Sequence, residues 1–441
     1  MLQEIFFILL STHKLYIMLS ISFIRENRDD LIARLKIKNF SAGEIIDKII
    51  QTDNDRRTQQ LSLDTLQSTL NKKSREIGAH YKAGNQKEAD KAKQETTGLK
   101  EEIKLLQQAQ AETLNKLQEL LVQVPNIPHH SVPAGKGEND NELVRDGGTM
   151  PDLHADSVPH WDLISRYDII DFELGNKITG AGFPVYKGKG AKLQRALISF
   201  FLDENIEAGY QEVMPPLMVN EDSGFGTGQL PDKEGQMYHL QEDNYYLIPT
   251  AEVPVTNFFR DEILKAEELP VKLTAYTPCF RREAGSWGKD VRGLNRLHQF
   301  DKVEIVQVEH PDRSYETLEK MASHIEKLIQ KLELPYRVMR LCGGDLSFTS
   351  ALTYDFEVFA AAQQKWLEVS SVSNFESYQA NRLKLRYREK GEKKNHLAHT
   401  LNGSALALPR ILAALLENYQ SPAGIKIPDV LTPYTGFDII P

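Results

Sequence analysis

From about Ala42 to Gln123 the chain holds no proline and no tryptophan, and Leu, Gln, Lys and Glu dominate it. A stretch this long without a helix breaker can extend as helix over many turns, since proline removes a backbone donor and clashes with the preceding turn. Leu63, Leu66, Leu70 and Ile77 recur at three- and four-residue steps, with Lys73 and His80 at the intervening seam positions. Leu99, Ile103, Leu106, Leu114, Leu117 and Leu121 make a second stripe, interrupted at Gln110. Each set falls on one helical face. Between them the Gly84-Asn85 pair can reverse the chain. Two helices of about 35 to 40 residues are therefore expected, forming an antiparallel coiled-coil hairpin that spans roughly 50 to 60 Å.

Charge on this hairpin is uneven. From Lys72 to Lys93 seven basic residues, Lys72, Lys73 and Arg75 among them, face three acidic ones, whereas the whole chain carries a net charge of −9. The average excludes a generally basic nucleic-acid binder, so any polyanion must meet a local patch. Two readings stay open for the cluster: a solvated coiled-coil surface, or an arm that grips structured RNA by its phosphates.

At 441 residues the chain suits two or three domains, and 41% hydrophobic with 26% charged residues is ordinary for a soluble protein. Its two cysteines, Cys279 and Cys342, form no C-x-x-C pair. That argues against a disulfide framework or a cysteine-rich zinc site and fits a reducing cytoplasm; no zinc is expected. The apolar run Ile5 to Leu10 is too short to span a bilayer and lacks a basic flank or a small-residue cleavage site, so no membrane partner is expected. Met18 is the expected natural start, with residues 1–17 an extension without a role.

The expected organisation is a helical-hairpin arm at 18–123, a linker at 124–140 and a second domain at 141–441. Pro125, Pro128 and Pro133 and the polar stretch Gly135 to Asp140 mark the junction. The His129-His130 pair there has no ligand-spaced partner and reads as loop. Beyond it the pattern is mixed: helices at Lys192 to Glu207 and Tyr315 to Leu332, strands at Tyr245 to Pro249, Val303 to Val308 and Lys365 to Val372, and a helix from Ala405 to Tyr419 after Thr400 to Ser404. Neighbouring strands with helices between them predict an α+β fold on a largely antiparallel sheet. Gly188-Lys189-Gly190 is no dinucleotide fingerprint, lacking a third glycine and a clear preceding strand.

The chemistry concentrates between Thr277 and Glu304: an Arg-x-Glu, a glycine-bearing loop, then an aromatic and a carboxylate. That order suits a nucleotide held on a β-hairpin, with Arg281 for a phosphate, Glu283 for an exocyclic amine and Phe300 as a platform for a purine ring. Taken alone, an Arg-x-Glu of this kind reads first as a hairpin with a solvated, charge-mixed loop.

Other segments decide between these. Gly209 to Val219, with Pro216, resembles the first motif of class II aminoacyl-tRNA synthetases, Phe280 to Glu304 the second, and Gly403 to Arg410 the third. Leu247 to Pro254 and Glu368-Val369-Ser370-Ser371 resemble the serine-specific enzymes in particular. From Met18 onward the chain is thus similar to the bacterial-type seryl-tRNA synthetase family. The resemblance implies an N-terminal helical arm, an antiparallel class II catalytic domain, and serine activation by ATP followed by transfer to tRNA. For ATP it implies Arg281 at the α-phosphate, Arg410 at the γ-phosphate, Glu283 and Phe300 at the adenine with Leu297, His298 and Gln299 in the same stretch, and Arg282, Glu368, Val369, Ser370 and Ser371 as further ATP-binding residues. Glu368 and Ser371 would hold Mg2+ with the ATP, hard oxygen ligands for a hard cation. For L-serine it implies Thr250, Ala251, Glu252, Glu304, Asn402 and Ser404. It further implies a homodimer built on the first motif, with one arm reaching RNA at the other subunit's site. Serine tRNA is the implied acceptor, and selenocysteine tRNA stays open as a second. A threonyl- or prolyl-type enzyme would leave the hairpin unexplained, and a catalytically silent RNA-binding paralogue would leave the catalytic residues unexplained.

Overall fold

A computed structural model of the chain describes residues 19–232, 235–283 and 292–441. The expected extension at 1–17 and the glycine-bearing loop at 284–291 lie outside them. The chain forms two compact units, Met1–Lys36 with Ser41–Pro125, and Ile37–Phe40 with Asn126–Pro441.

The first unit contains the expected hairpin. Helix α1 (Ile21–Glu26) and α2 (Arg28–Leu35) precede two long helices, α3 (Gly43–Lys82) and α4 (Gln86–Leu121), of 40 and 36 residues. Gly84, at φ +75°, supplies the positive dihedral that the reversal requires. Leu63, Ile103, Leu117 and Leu121 are buried in the seam, and Leu66, Leu70, Ile77, Leu99, Leu106 and Leu114 are half-buried. Two helices can offer each other only one stripe, which is why most seam residues keep one side in water. The interruption at Gln110 is a polar rung: its side chain donates to Gln60 at 2.8 Å, and Gln59 donates to Thr113 at 3.0 Å. At the base, Ile24, Leu31, Leu35, Ile46 and Ile49 are fully buried, and Asp53 is held between Arg25 and Arg56 at 3.0 and 2.7 Å.

The second unit is organised by an eight-stranded sheet. Its strands are β1 (Glu142–Gly147), β2 (Gln211–Glu212), β3 (Val271–Phe280), β4 (Gln299–Glu309), β5 (Tyr336–Arg340), β6 (Leu352–Ala360), β7 (Lys365–Asn374) and β8 (His399–Ala407). They lie in the order β1-β5-β6-β7-β8-β4-β3-β2, and every pairing is antiparallel except β2 with β3. Side chains alternate across a strand, so one face of β4 sends Val303 and Ile305 into the main core while the other carries Lys302, Glu304 and Val306. Three helices cover the core face: α6 (Gly188–Glu207), α7 (Ser314–Lys331) and α8 (Leu408–Asn418), with Phe200, Phe201, Met321, Ile325, Leu412 and Leu416 fully or almost fully buried in that core. A shorter helix, α5 (His160–Arg166), joins them through Leu163 and Ile164.

Four local expectations change. The helix expected from Ala405 begins at Leu408 instead, because Lys302 pairs with Ala407 and keeps residues 405–407 in β8, and Pro409 then occupies the first turn, where its missing N–H costs nothing. Gly209 to Val219, a turn and strand by sequence, holds two short strands: β2 ends at Glu212, and a separate strand, Met218–Asn220, pairs with Tyr245–Leu247. A two-residue strand, Val185–Tyr186, does precede Gly188. Residues 126–132, expected in the linker, run against the second unit: Asn126 and His129 donate backbone bonds to Phe348 and Ala351, and Ile127 and Val132 are buried. Among the described residues no helix is long and apolar enough to cross a membrane.

Candidate active site

Above the centre of the sheet, opposite the helices, lies a cavity of about 640 Å³. Register assembles it. Pairing of β4 with β3 sets Phe300 against Cys279, and pairing of β4 with β8 sets Glu304 opposite Ser404, with Asn402 between Val306 of β4 and Ser373 of β7. Thr250, Glu252, Arg281, Glu283, Leu297, Phe300, Glu304, Glu368, Val369, Ser370, Ser371, Asn402, Ser404 and Arg410 all line this one space.

Its floor is charged and buried. Lys302 Nζ lies 2.6 Å from Glu304 Oε2, with both side chains under a tenth exposed, and Thr250 Oγ1 donates to the same oxygen at 3.1 Å. Glu252 is reached by Gln379 Nε2 at 2.6 Å, and Gln379 in turn accepts from Thr400. Burial, with Glu304 as a second cause, pushes the Glu252 carboxyl up to about 7. The floor therefore presents a charged acceptor at Glu304 beside a carboxyl that holds its proton near neutrality.

Guanidinium groups line the walls. Arg281 sits over the Phe300 ring at 5.3 Å and donates to the Pro249 carbonyl at 3.4 Å. Arg410, in the first turn of α8, donates to the carbonyls of Asn295 and Glu368 at 3.1 and 2.8 Å. Arg296 contacts Glu283 at 3.2 Å. Glu368 and Ser371 lie at the rim, 3.3 Å apart. An adjoining cavity of about 660 Å³ shares them and is lined also by Asp355, whose Oδ1 is buried without a hydrogen-bond partner. Burial, and Glu368 beside it, hold the Asp355 carboxyl well above the usual range. Among the described residues no group of three or more His, Cys, Asp or Glu side chains forms a self-sufficient metal site.

Four expected residues do not line the cavity. Ala251 is fully buried in an apolar cluster with Val255, Leu273, Ala275 and Val306. Arg282 is exposed and bonds through its backbone to Gln236. His298 stacks on Phe183 and meets the Tyr238 hydroxyl at 2.9 Å, which makes it a support behind the wall. Gln299 is exposed where β4 begins. Sequence reasoning missed Lys302, Asn295 and Arg296. Lys302 was findable, being two residues from Glu304 and hence on the same face of a strand. Gln379 was not, since 127 residues separate it from Glu252.

A mainly antiparallel sheet with an arginine after β3, an aromatic on β4 and a second arginine opening the helix after β8 is the core of a class II tRNA synthetase. Residues 237–419 match the family model for the tRNA synthetase class II core domain (G, H, P, S and T), and residues 18–128 match that for the seryl-tRNA synthetase N-terminal domain. The serine–tRNA ligase of Salinibacter ruber is 50% identical over 421 residues, 95% of this chain and 98% of the relative. That of Trichlorobacter lovleyi is 47% identical over 425 residues, again 95% and 98%. The crystal structure of seryl-tRNA synthetase from Pyrococcus horikoshii complexed with ATP superimposes with a TM-score of 0.89 at 36% identity, covering 96% of this chain and 99% of that one. The chain belongs to the seryl-tRNA synthetase family, class II aminoacyl-tRNA synthetases that join serine to tRNA.

Proposed function

We propose that this chain joins L-serine to ATP as an adenylate, releasing pyrophosphate, and passes the seryl group to a terminal hydroxyl of serine tRNA. The observation that carries the residue assignment is the buried Lys302–Glu304–Thr250 floor lying in one cavity with Arg281 and Arg410. Glu304 and Thr250 suit an ammonium and a hydroxyl, and Asn402 and Ser404 suit the far side of a small polar side chain. Alanine would leave those buried groups unpaired, a discrimination on the order of 10⁴; threonine would need room for a further methyl.

The serine carboxylate is already ionised at neutral pH, so its attack on the α-phosphorus needs no general base. What the protein must supply is alignment and positive charge. Arg281 is assigned to the α-phosphate and Arg410 to the γ-phosphate, where a planar guanidinium can hold two oxygens. Phe300 gives the purine a face and Glu283 an acceptor for its amine. Glu368 and Ser371 supply an oxygen pair fitted to Mg2+, and the orphaned Asp355 oxygen deepens the hard-donor character of that rim. The bound ion would neutralise phosphate charge.

Several further readings complete the proposal. The arm, with Lys72, Lys73 and Arg75 near its tip, would bind the tRNA backbone; the chain would work as a homodimer, in the cytoplasm, where its two buried free thiols stay reduced. ATP–pyrophosphate exchange with the amino acids offered singly tests the reading directly. Exchange with serine alone is expected, and exchange with threonine or proline but not serine would overturn it. Charging assays with transcripts of serine and selenocysteine tRNA decide whether the second is also an acceptor.

A further inference from the structure

One buried charged group outside the cavity reaches the cavity wall through hydrogen bonds alone. Glu417, in the last turn of α8, is fully buried, as is the His160 side chain beside it. Glu417 Oε1 accepts from the His160 backbone N at 3.0 Å, from His160 Nδ1 at 2.8 Å and from Gln363 Nε2 at 3.0 Å. Its Oε2 accepts from the backbone of Ala362 and Gln363 at 3.1 and 3.0 Å. The other ring nitrogen, Nε2, accepts the backbone N–H of Leu294 at 3.0 Å. A backbone amide can only donate, so Nε2 carries no proton and Nδ1 does, donating to the carboxylate.

Leu294 belongs to the segment that forms the cavity wall. Gly293 packs so closely there that a Cβ would lie 2.4 Å from His160 Nε2. A second branch of the network runs parallel to the first: Asn295 Nδ2 donates to Gln363 Oε1 at 3.1 Å, and the Asn295 carbonyl receives Arg410 Nε at 3.1 Å. Both branches start at Glu417 and end on residues 294–295, and the second continues to the arginine assigned to the γ-phosphate. No water is needed to complete either one.

We infer that His160 and Glu417 are positioning residues for ATP: together with Gln363 they set the Leu294–Asn295 wall and, through the Asn295 carbonyl, the orientation of the Arg410 guanidinium. Neither touches the cavity, so neither is a catalytic residue. The serine floor is reached by neither branch, and its side chains answer to β4, β8 and Gln379 instead. The inference rests on the assignment of Arg410 to ATP made above.

The test is pyrophosphate exchange by His160→Ala, His160→Gln, Glu417→Gln and Gln363→Met in the full chain, with KM measured separately for ATP and serine. His160→Ala and Gln363→Met are expected to raise the ATP KM by about tenfold while leaving the serine KM within about twofold. His160→Gln, whose amide oxygen can accept from Leu294, should recover part of the loss. Gln363→Met is nearly isosteric and only half-buried in its parent form, so it serves should the His160 variants fail to fold. Unchanged ATP KM in folded Gln363→Met, or equal rises in both KM values, would overturn the inference while leaving the serine reading intact. Absence of serine-dependent exchange in the wild-type chain would overturn both.

Discussion

Lys302 and Glu304 show how much a single buried pair governs. Removing one partner of such a pair leaves the other as an uncompensated charge, a loss of about 3 to 5 kcal/mol, whereas replacing both by apolar groups of similar volume is close to neutral. Lys302→Met should therefore lower the urea midpoint strongly, Lys302→Met with Glu304→Leu much less, and both should abolish serine-dependent exchange. A single variant as stable as the wild type would refute the pairing. Glu252 adds a pH signature. Its folded pKa of about 7 stands above the ordinary value of 4.5, so the folded state binds the proton more tightly and stability is lost as pH rises from 4.5 through 7. Glu252→Gln lacks this dependence. Its melting temperature relative to wild type should climb between pH 5 and pH 8, by an amount equivalent to on the order of 2 kcal/mol; a flat difference across that range would remove the assignment. These residues were unequally legible beforehand. Glu304, Arg281 and Arg410 stood inside motifs, but the proton held on Glu252 depends on its burial and on Glu304 nearby, against the opposing hydrogen bond from Gln379, and only the fold supplies that setting.

At the level of elements the hairpin was the most legible part, because a period of three and four over two long stretches has no competing interpretation. Its chemistry is another matter. Lys73, one of three expected tRNA contacts, bridges to Glu95 on the opposite helix at 2.6 Å, while Lys72 and Arg75 are exposed. Reversing Lys73 would oppose two carboxylates and disturb the hairpin itself. The clean test is Lys72→Glu with Arg75→Glu, which should flatten the slope of log affinity against log salt for serine tRNA by about 1.4 to 1.8, leaving exchange unchanged. An unaltered slope would make this cluster a solvated surface. Shortening the hairpin at the Gln60–Gln110 rung keeps the buried base of the arm and should likewise spare exchange while charging collapses. Strand-to-helix boundaries were less legible: Ala405 to Ala407 look helical by composition, and pairing with β4 holds them extended.

For the molecule as a whole, the segment after β2 leaves apolar side chains in water, with Met214 86% exposed and Met218 49%. Neighbouring exposed apolar residues point to a partner surface, and here they coincide with the motif expected to join two copies. Sedimentation should give twice the 50.1 kDa chain mass, and Met214→Lys should shift it toward the single chain. A wild-type protein that sediments as one chain at micromolar concentration with full activity would refute the homodimer.

Chain-local physics determined the two-unit plan, the hairpin and its turn, and the order of the catalytic motifs, since periodicity, proline placement and residue type at short spacing are all properties of neighbours in sequence. The tertiary structure alone decided which of those residues share a cavity. Ala251, Arg282, His298 and Gln299 sit within the expected motifs yet face elsewhere, because strand alternation and local packing turn them away. Gln379, Asp355 and the His160–Glu417 pair lie outside the expected motifs; register and helix packing bring Gln379 to Glu252, Asp355 to the adjoining cavity and His160 to Glu417 behind the wall. Contacts across more than a hundred residues leave no periodic trace, and a buried charge is recognised as such only once the fold has removed its water.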